Sequence, residues 1–230
     1  MNNLAVIIPF FNEEVYLEDS VKRVLKFDIF NQIILVDDCS TDNSPSIAKA
    51  ICSSNDNVMY LKTPYKGGKG NALITAKTSL TTSHVVIHDA DLEYFPEDIV
   101  EMYKHTMSNE NTLILGSRFI GNKERINLYS RTLFANKIMS AFFSLVNFYK
   151  VTDVATCYKL MPVSFLKQTD IKEQGFSIEV EILSKFLKYN KSIKEVPIKY
   201  SGRSYEEGKK IKTSDGFFYL FNTIKYRFFK

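Results

Sequence analysis

The residues best suited to chemistry in this chain are two aspartates, Asp89 and Asp91. In extended backbone an i, i+2 pair points to one side. Two carboxylates so close repel each other unless something neutralises them. A hard divalent cation such as Mg²⁺ or Mn²⁺ does so, prefers carboxylate oxygen, and keeps open positions for phosphate oxygens. Glu93 is placed to complete or orient the set, so Asp89, Asp91 and Glu93 are the candidate metal ligands. The alternative is a solvated acidic loop that caps the following helix.

Other charged clusters recur along the chain. Asp37 and Asp38 follow an apolar run and suit metal ligation, a turn, or acceptance of hydrogen bonds from a base or ribose. Asx turns and helix capping account for Asp42 and Ser44. Lys66-Gly67-Gly68-Lys69-Gly70 lacks the Ser or Thr of a P-loop, and no GxGxxG follows the first strand. What remains is a glycine loop that brings backbone N–H groups to an anion at a helix N-terminus, or a plain turn. Arg118, Arg131, Arg203, Lys209 and Lys210 suit phosphate recognition. The glycine-bracketed stretch 200–210 reads as a loop able to close over a bound ligand. His84, His88 and His105 lack ligand spacing and read as structural or surface residues.

These clusters need elements to hold them. Leu4 to Ile8, Gln32 to Val36, Val58 to Leu61, Val85 to His88 and Thr112 to Leu115 are short apolar runs read as buried strands. Helices are expected between them: Val15 to Lys26, one with Pro45 in its first turn, one opening near Gly68, and one from Pro96. This βαβαβαβαβ order predicts an α/β fold with a mainly parallel, mixed sheet flanked by helices. Ligands bind such sheets beyond the carboxyl ends of the strands, and every cluster from Pro9–Glu13 to Gly116–Arg118 falls at such an end. The second half is expected to hold helices over 130–150, 178–189 and 215–227, a short strand or turn at 157–161, and a strand over 193–200. A boundary near residue 120 would separate two halves of one fold.

Composition narrows the classes. The chain has 230 residues, 45% hydrophobic and 24% charged, which excludes disordered, collagen-like and coiled-coil classes. A net charge of +4 is too small to argue for nucleic acid. Three cysteines, Cys39, Cys52 and Cys157, form no CxxC pair and point to a reducing, cytoplasmic setting. Targeting and membrane-spanning segments are not expected. The helix over 133–149 carries a polar stripe of Asn136, Ser140, Ser144 and Asn147 on an otherwise apolar surface, as in a core or homodimer helix or an interfacial one. The C-terminal GFFYLFNTIKYRFFK mixes aromatic and basic residues, which suits peripheral contact with the cytoplasmic face of a membrane.

Taken together, VIIPFFNEE (6–14), ILVDDCSTDNS (34–44), KGGKGNAL (66–73), DADLEYFPEDI (89–99), GSRF (116–119), TDVATCYKLM (152–161), GFSIEVEI (175–182) and VPIKYSGRSYEEGKKI (196–211) resemble the family 2 glycosyltransferases, on the branch of dolichyl- and polyprenyl-phosphate mannose synthases. The resemblance spans essentially the whole chain. It implies a GT-A (Rossmann-like) fold, with residues 1–120 binding a UDP- or GDP-linked sugar and residues 121–230 binding the acceptor. It implies Pro9, Phe11, Glu13 and Asp38 around the nucleoside, with Asp37, Lys66, Gly68, Lys69 and Ala90 completing the donor site. Asp89 and Asp91 would hold Mg²⁺ or Mn²⁺ on the diphosphate, Arg203 and Lys209 would clamp it, and Arg118 and Arg131 would bind the acceptor phosphate. Phe11 stands where relatives often have tyrosine. Ala155 stands where many have glutamate, which leaves Asp153 as the nearest carboxylate for a general base. The implied reaction is inverting transfer to a polyprenyl or dolichyl phosphate. Transfer to a cell-surface glycan and a non-catalytic donor-binding protein are the alternatives.

Overall fold

A computed structural model describes residues 3–108, 110–127, 130–175, 177–190, 192–203 and 213–229. Leu4–Phe10 forms β1, and its first five side chains are fully buried because continuous β-branched and aliphatic residues leave no polar face to expose. It pairs in parallel with β2 (Phe30–Asp37) on one side and β4 (His84–Ile87) on the other, and β2 pairs in parallel with β3 (Val58–Lys62). Four helices connect and cover these strands: α1 (Leu17–Leu25), α2 (Ser44–Ser53), α3 (Gly68–Lys77) and α4 (Pro96–Lys104).

The same sheet continues into the second half. β5 (Leu113–Ser117) pairs in parallel with β8 (Ile193–Pro197), and β7 (Lys159–Pro162) runs antiparallel between β4 and β5. The strand order is β3-β2-β1-β4-β7-β5-β8. The mixed, mainly parallel α/β sheet expected from the sequence is therefore present, and a strand from the second half lies between two strands of the first. A separate parallel ribbon joins β6 (Arg125–Ile126) to β9 (Tyr200–Ser201).

Three elements of the second half are left open or read differently by the sequence. The strand foreseen over 193–200 is two strands, because the chain leaves the main sheet at Pro197 and then pairs with β6 in the separate ribbon. The segment at 157–161, expected as a strand or a turn, holds the inserted strand β7. A short helix, α6 (Val163–Gln168), starts directly after Pro162, where the sequence shows too few residues for a periodic pattern. The remaining helices are α5 (Ser130–Asn147), α7 (Ile178–Tyr189) and α8 (Thr213–Phe228), close to their expected ranges.

The glycines after β3 serve close packing. A Cβ on Gly70 would sit 1.8 Å from the Glu173 carbonyl oxygen, and one on Gly68, which holds φ +74°, would sit 2.5 Å from the Gln174 carbonyl oxygen. The Gly70 N–H donates to that Gln174 carbonyl at 3.0 Å. The start of α3 is thus pressed against backbone of the second half. Gly70→Ala is expected to cost at least about 2 kcal/mol through overpacking and to lower the melting temperature by ~4–8 °C, read by circular dichroism.

Candidate active site

The loops that leave β1, β2 and β4 emerge on one edge of the sheet, where the strand order reverses around β1. Each contains a non-glycine residue in the left-handed region: Asn12 at φ 54°, Cys39 at φ 63° and Leu92 at φ 62°. Such conformations persist only where the surroundings enforce them, and they cluster at functional sites. The enforcing contacts are visible. Asn12 Oδ1 accepts from the Thr41 N–H at 2.8 Å, the Ser44 hydroxyl accepts from the Glu13 N–H at 2.9 Å, and Asp42 accepts from the Glu14 and Ser44 N–H groups. Asp42 and Ser44 thus tie two loops together while finishing the turn into α2.

Asp37 and Asp38 are both buried, and both carboxylates are engaged by the chain itself. Asp37 accepts from the Tyr60 hydroxyl at 2.9 Å and the Ser40 N–H at 2.7 Å. Asp38 accepts from the Gly67 and Gly68 N–H groups at 3.0 and 2.6 Å and from the Thr63 hydroxyl at 3.1 Å. This corrects the glycine-loop expectation. The backbone donors at the start of α3 point at Asp38, which already supplies the negative charge that a helix N-terminus favours. They do not form an open anion cradle. Lys66 lies 3.7 Å from the centre of the Phe11 ring, so these two donor-site candidates form one cation–π surface beside partly exposed Pro9.

The acidic pair stands at the end of β4, with Ala90 buried between its members. Lys69 reaches Asp89 at 2.9 Å and Glu179 at 2.8 Å, and its ammonium is 3.4 Å from Cys157 Sγ. Glu179 also pairs with Lys159 at 2.5 Å; Lys159 is fully buried. The resemblance implies Lys69 on the donor; here it fixes Asp89. Although burial pushes the Asp89 carboxyl up, Lys69 outweighs it and holds the group below its ordinary value. Asp91 behaves oppositely. Burial, then the charges of Asp89 and Glu93, raise its pKa to about 7, against the opposing pull of Arg203.

Arg203 spans the cluster. Its guanidinium contacts Asp91 at 3.3 Å and Glu13 at 3.4 Å and lies 5.3 Å from the Tyr16 ring. Glu93 turns toward the chain, accepting from the Tyr200 hydroxyl at 2.6 Å and the Arg203 N–H at 2.8 Å. Glu93 therefore anchors β9 and Arg203 in this conformation and does not converge with Asp89 and Asp91 as a third ligand. Among the described residues, no three carboxylate, histidine or cysteine side chains converge on one point. The set still fits a hard cation. Two partly exposed carboxylates, one of which burial and then the neighbouring carboxylates raise to about 7, suit an ion that takes one or two protein oxygens and completes its shell with phosphate.

Arg118 and Asp153 correct another expectation. The Arg118 Nε and Nη2 donate to the two Asp153 oxygens at 2.7 and 2.8 Å, and the Arg118 N–H adds a third bond at 3.0 Å. Asp153 is fully buried and Arg118 is 5% exposed. The fork is thus closed on an internal carboxylate, so Asp153 does not face the cleft as a base and Arg118 does not present a bidentate face to an acceptor phosphate. Arg131 lies in the first turn of α5, but its side chain is outside the described residues, as are Lys209 and Lys210. His88 is buried between Ser20 and the Tyr158 hydroxyl, and burial lowers its pKa to about 4, so it is a neutral structural residue. Sequence reasoning missed Glu179, Lys159 and Tyr16. The available signal was a charge at a buried position of an apolar strand, KLMP, and of an apolar helix, IEVEILSKF.

The model of the family described as "Glycosyl transferase family 2" matches residues 5–169. The chain belongs to this family. As a family 2 glycosyltransferase it is similar over its length to the UDP-N-acetylglucosamine–dolichyl-phosphate N-acetylglucosaminyltransferase of Methanococcus voltae, at 28% identity over 96% of this chain and 96% of that protein. It is 24% identical to the undecaprenyl-phosphate mannosyltransferase of Micrococcus luteus over 90% of this chain and 86% of that one. The GT-A fold of this glycosyltransferase is shared with glucosyl-3-phosphoglycerate synthase of Mycobacterium tuberculosis, solved with Mn²⁺, uridine diphosphate and glucosyl-3-phosphoglycerate. That match has a TM-score of 0.73 at 17% identity and covers 98% of this chain and 80% of that one.

Removing Asp153 strands a buried guanidinium. Asp153→Ala is expected to destabilise the enzyme by about 3–5 kcal/mol, lowering the melting temperature by ~10 °C or more. A residue serving only as a surface base would leave the melting temperature unchanged.

Proposed function

We propose that this glycosyltransferase moves a sugar from a nucleoside diphosphate to a polyprenyl phosphate, with a divalent metal on the donor diphosphate. The observation that carries the choice of acceptor is the closed Arg118–Asp153 pair. A sugar hydroxyl needs a general base, and the carboxylate expected to supply one is buried against arginine. A lipid phosphate is already anionic at neutral pH and needs none. The full-length similarity to enzymes named for dolichyl and undecaprenyl phosphate supports the same acceptor.

In this reading Phe11, Lys66 and Pro9 offer a flat, cationic surface to the nucleobase. Asp37 and Asp38 shape the nucleoside pocket by fixing the β2 loop and the start of α3. Asp89 and Asp91 would hold Mg²⁺ or Mn²⁺; when bound, the ion supplies charge stabilisation to the departing diphosphate. Lys69 and Glu179 keep Asp89 ionised and oriented. Arg203 moves its charge from Asp91 and Glu13 to the diphosphate, and the family resemblance implies Lys209 as a second cation on it. In transfers of this kind, fixed charges aimed at the leaving group lower the barrier more than any other single effect. Arg131 is left as the acceptor-phosphate candidate, and the family resemblance implies inversion at the anomeric carbon. Because a solved structure of the same fold holds uridine diphosphate, a UDP-sugar is the first donor to try, with GDP-sugars beside it.

Purified protein incubated with Mn²⁺, polyprenyl phosphate and radiolabelled UDP- or GDP-sugars is expected to place label in the organic phase, with loss of more than about 100-fold in Asp91→Ala. Metal-dependent release of nucleotide without lipid label would point instead to a glycan acceptor. Absence of both signals would sink the enzymatic role of the metal pair.

Metal binding is expected to follow the ionisation of Asp91. Its pKa lies near 7, so below that value a bound cation must displace a proton, and above it the carboxylate is ready. Apparent Mn²⁺ affinity, followed by calorimetry, is expected to rise by up to about tenfold per pH unit from pH 5 toward 7 and to level off above. A flat profile would contradict it.

A further inference from the structure

Arg118 and Arg203 both reach carboxylates, and they are held very differently. Arg118 closes its fork on Asp153 with bonds of 2.7 and 2.8 Å, the lengths of strong charge-assisted pairs. Arg203 divides its guanidinium between Asp91 at 3.3 Å and Glu13 at 3.4 Å. Its Nε–H is buried and finds no acceptor among the described residues. A buried donor left unpaired costs free energy. The side chains of Arg203, Asp91 and Glu13 are only 14%, 17% and 10% exposed, so water does little to make up the difference. The guanidinium is enclosed without being satisfied.

The backbone that delivers Arg203 is fixed independently of its side chain. The Tyr200 N–H donates to the Glu124 carbonyl at 3.1 Å and the Gly202 N–H to the Ile126 carbonyl at 3.0 Å. Glu93 accepts from the Arg203 N–H with one carboxylate oxygen and from the Tyr200 hydroxyl with the other. Lys69 already holds Asp89, so the ribbon brings the guanidinium to the other member of the acidic pair. There both oxygens are engaged by the chain: Asp91 Oδ2 accepts from Arg203, and Oδ1 accepts from the Glu93 N–H at 3.2 Å. An ion that draws on Oδ2 meets a second positive charge at contact distance, and two like charges so close repel strongly in a site shielded from water.

We propose that Arg203 is the internal occupant of the cation site: its guanidinium and a divalent cation exclude each other from Asp91, so the ion binds weakly by itself and tightly once a nucleoside diphosphate offers the guanidinium another anion. This rests on the reading of Asp89 and Asp91 as the carboxylates of the ion, and adds how its binding is regulated. Phosphate oxygens suit the displaced fork, because they accept in pairs and reach the Nε–H that Asp91 and Glu13 leave unpaired. Ion and nucleotide are thereby linked, and each strengthens the other by the same factor. An empty site stays neutralised by the chain's own charge.

Mn²⁺ is titrated by calorimetry into the full chain at constant pH, first alone and then with excess UDP or GDP, allowing for Mn²⁺ held by free nucleotide. Arg203→Ala is expected to bind Mn²⁺ alone about tenfold more tightly than the parent. The same variant is expected to lose about tenfold of the tightening that nucleotide brings. Tyr200→Phe releases one anchor of Glu93 and leaves every charge in place; it is expected to tighten Mn²⁺ about twofold to threefold. Should Arg203→Ala lose its fold by circular dichroism, Tyr200→Phe carries the test. Lys199→Ala removes a cation paired with Glu97 at 3.1 Å and is expected to stay within about twofold of the parent. Tightening by Lys199→Ala as large as that by Arg203→Ala would reduce the effect to net charge and overturn the proposal. So would Mn²⁺ binding that Arg203→Ala leaves unchanged or weaker, while binding by the parent and its loss in Asp91→Ala would keep the metal pair standing. Mn²⁺ bound by neither protein, even with nucleotide, would overturn the metal pair and the proposal together.

Discussion

Surplus negative charge at the end of β4 is the constraint around which the rest of the molecule is arranged. Asp89, Asp91, Glu93 and Glu13 crowd one rim of the sheet, and the fold brings two cations to them from other parts of the chain, Lys69 and Arg203. The compensation is uneven. Lys69 is locked between Asp89 and Glu179 and keeps Asp89 ionised, whereas Arg203 makes longer contacts and leaves Asp91 near neutrality in its titration. One carboxylate is thus fixed and the other is poised to accept a further positive charge. That asymmetry is what a site for a cation and a diphosphate requires: a rigid ligand, and a second one whose neutralising partner can leave.

Rigidity is supplied by buried ionic pairs of the second half. The Lys69–Glu179–Lys159 chain joins α3, α7 and β7, and the Arg118–Asp153 fork closes beside the Tyr200 ring of the ribbon formed by β6 and β9. Buried pairs cost desolvation and are a weak source of net stability. Their value here is positional, because each ties a loop at the strand ends to an element that arrives later in sequence. The insertion of β7 between β4 and β5 makes this physically necessary, since neither half completes the sheet alone. The same dependence explains why Gly70 must remain without a side chain where α3 meets residues 173 and 174.

Much of this was legible in the residues. Five apolar runs, each ending in a charged cluster, pointed to the parallel sheet and the edge on which chemistry gathers, because strand burial and strand-end loops are local consequences of side-chain pattern. The polar stripe on α5 was equally visible. What the pattern could not tell was which way the stripe faced: a stripe has the same periodicity whether it meets water or core. The structure turns it inward, where Ser140 and Asn147 satisfy backbone groups, and so leaves the apolar face outside.

By itself, then, the sequence determined the α/β class, the family, and the acidic pair with its strand-end companions. Residue type and spacing act over a few positions, and those features are local. Only the tertiary structure decided how charges distant in sequence are paired: Lys69 with Asp89 and Glu179 in preference to an outside phosphate, Arg118 with Asp153, Arg203 with Asp91, and Asp38 with the N-terminus of α3. A charge is satisfied by whatever opposite charge the fold brings within about 4 Å. That distance is set by strand order and helix packing, which no stretch of sequence states.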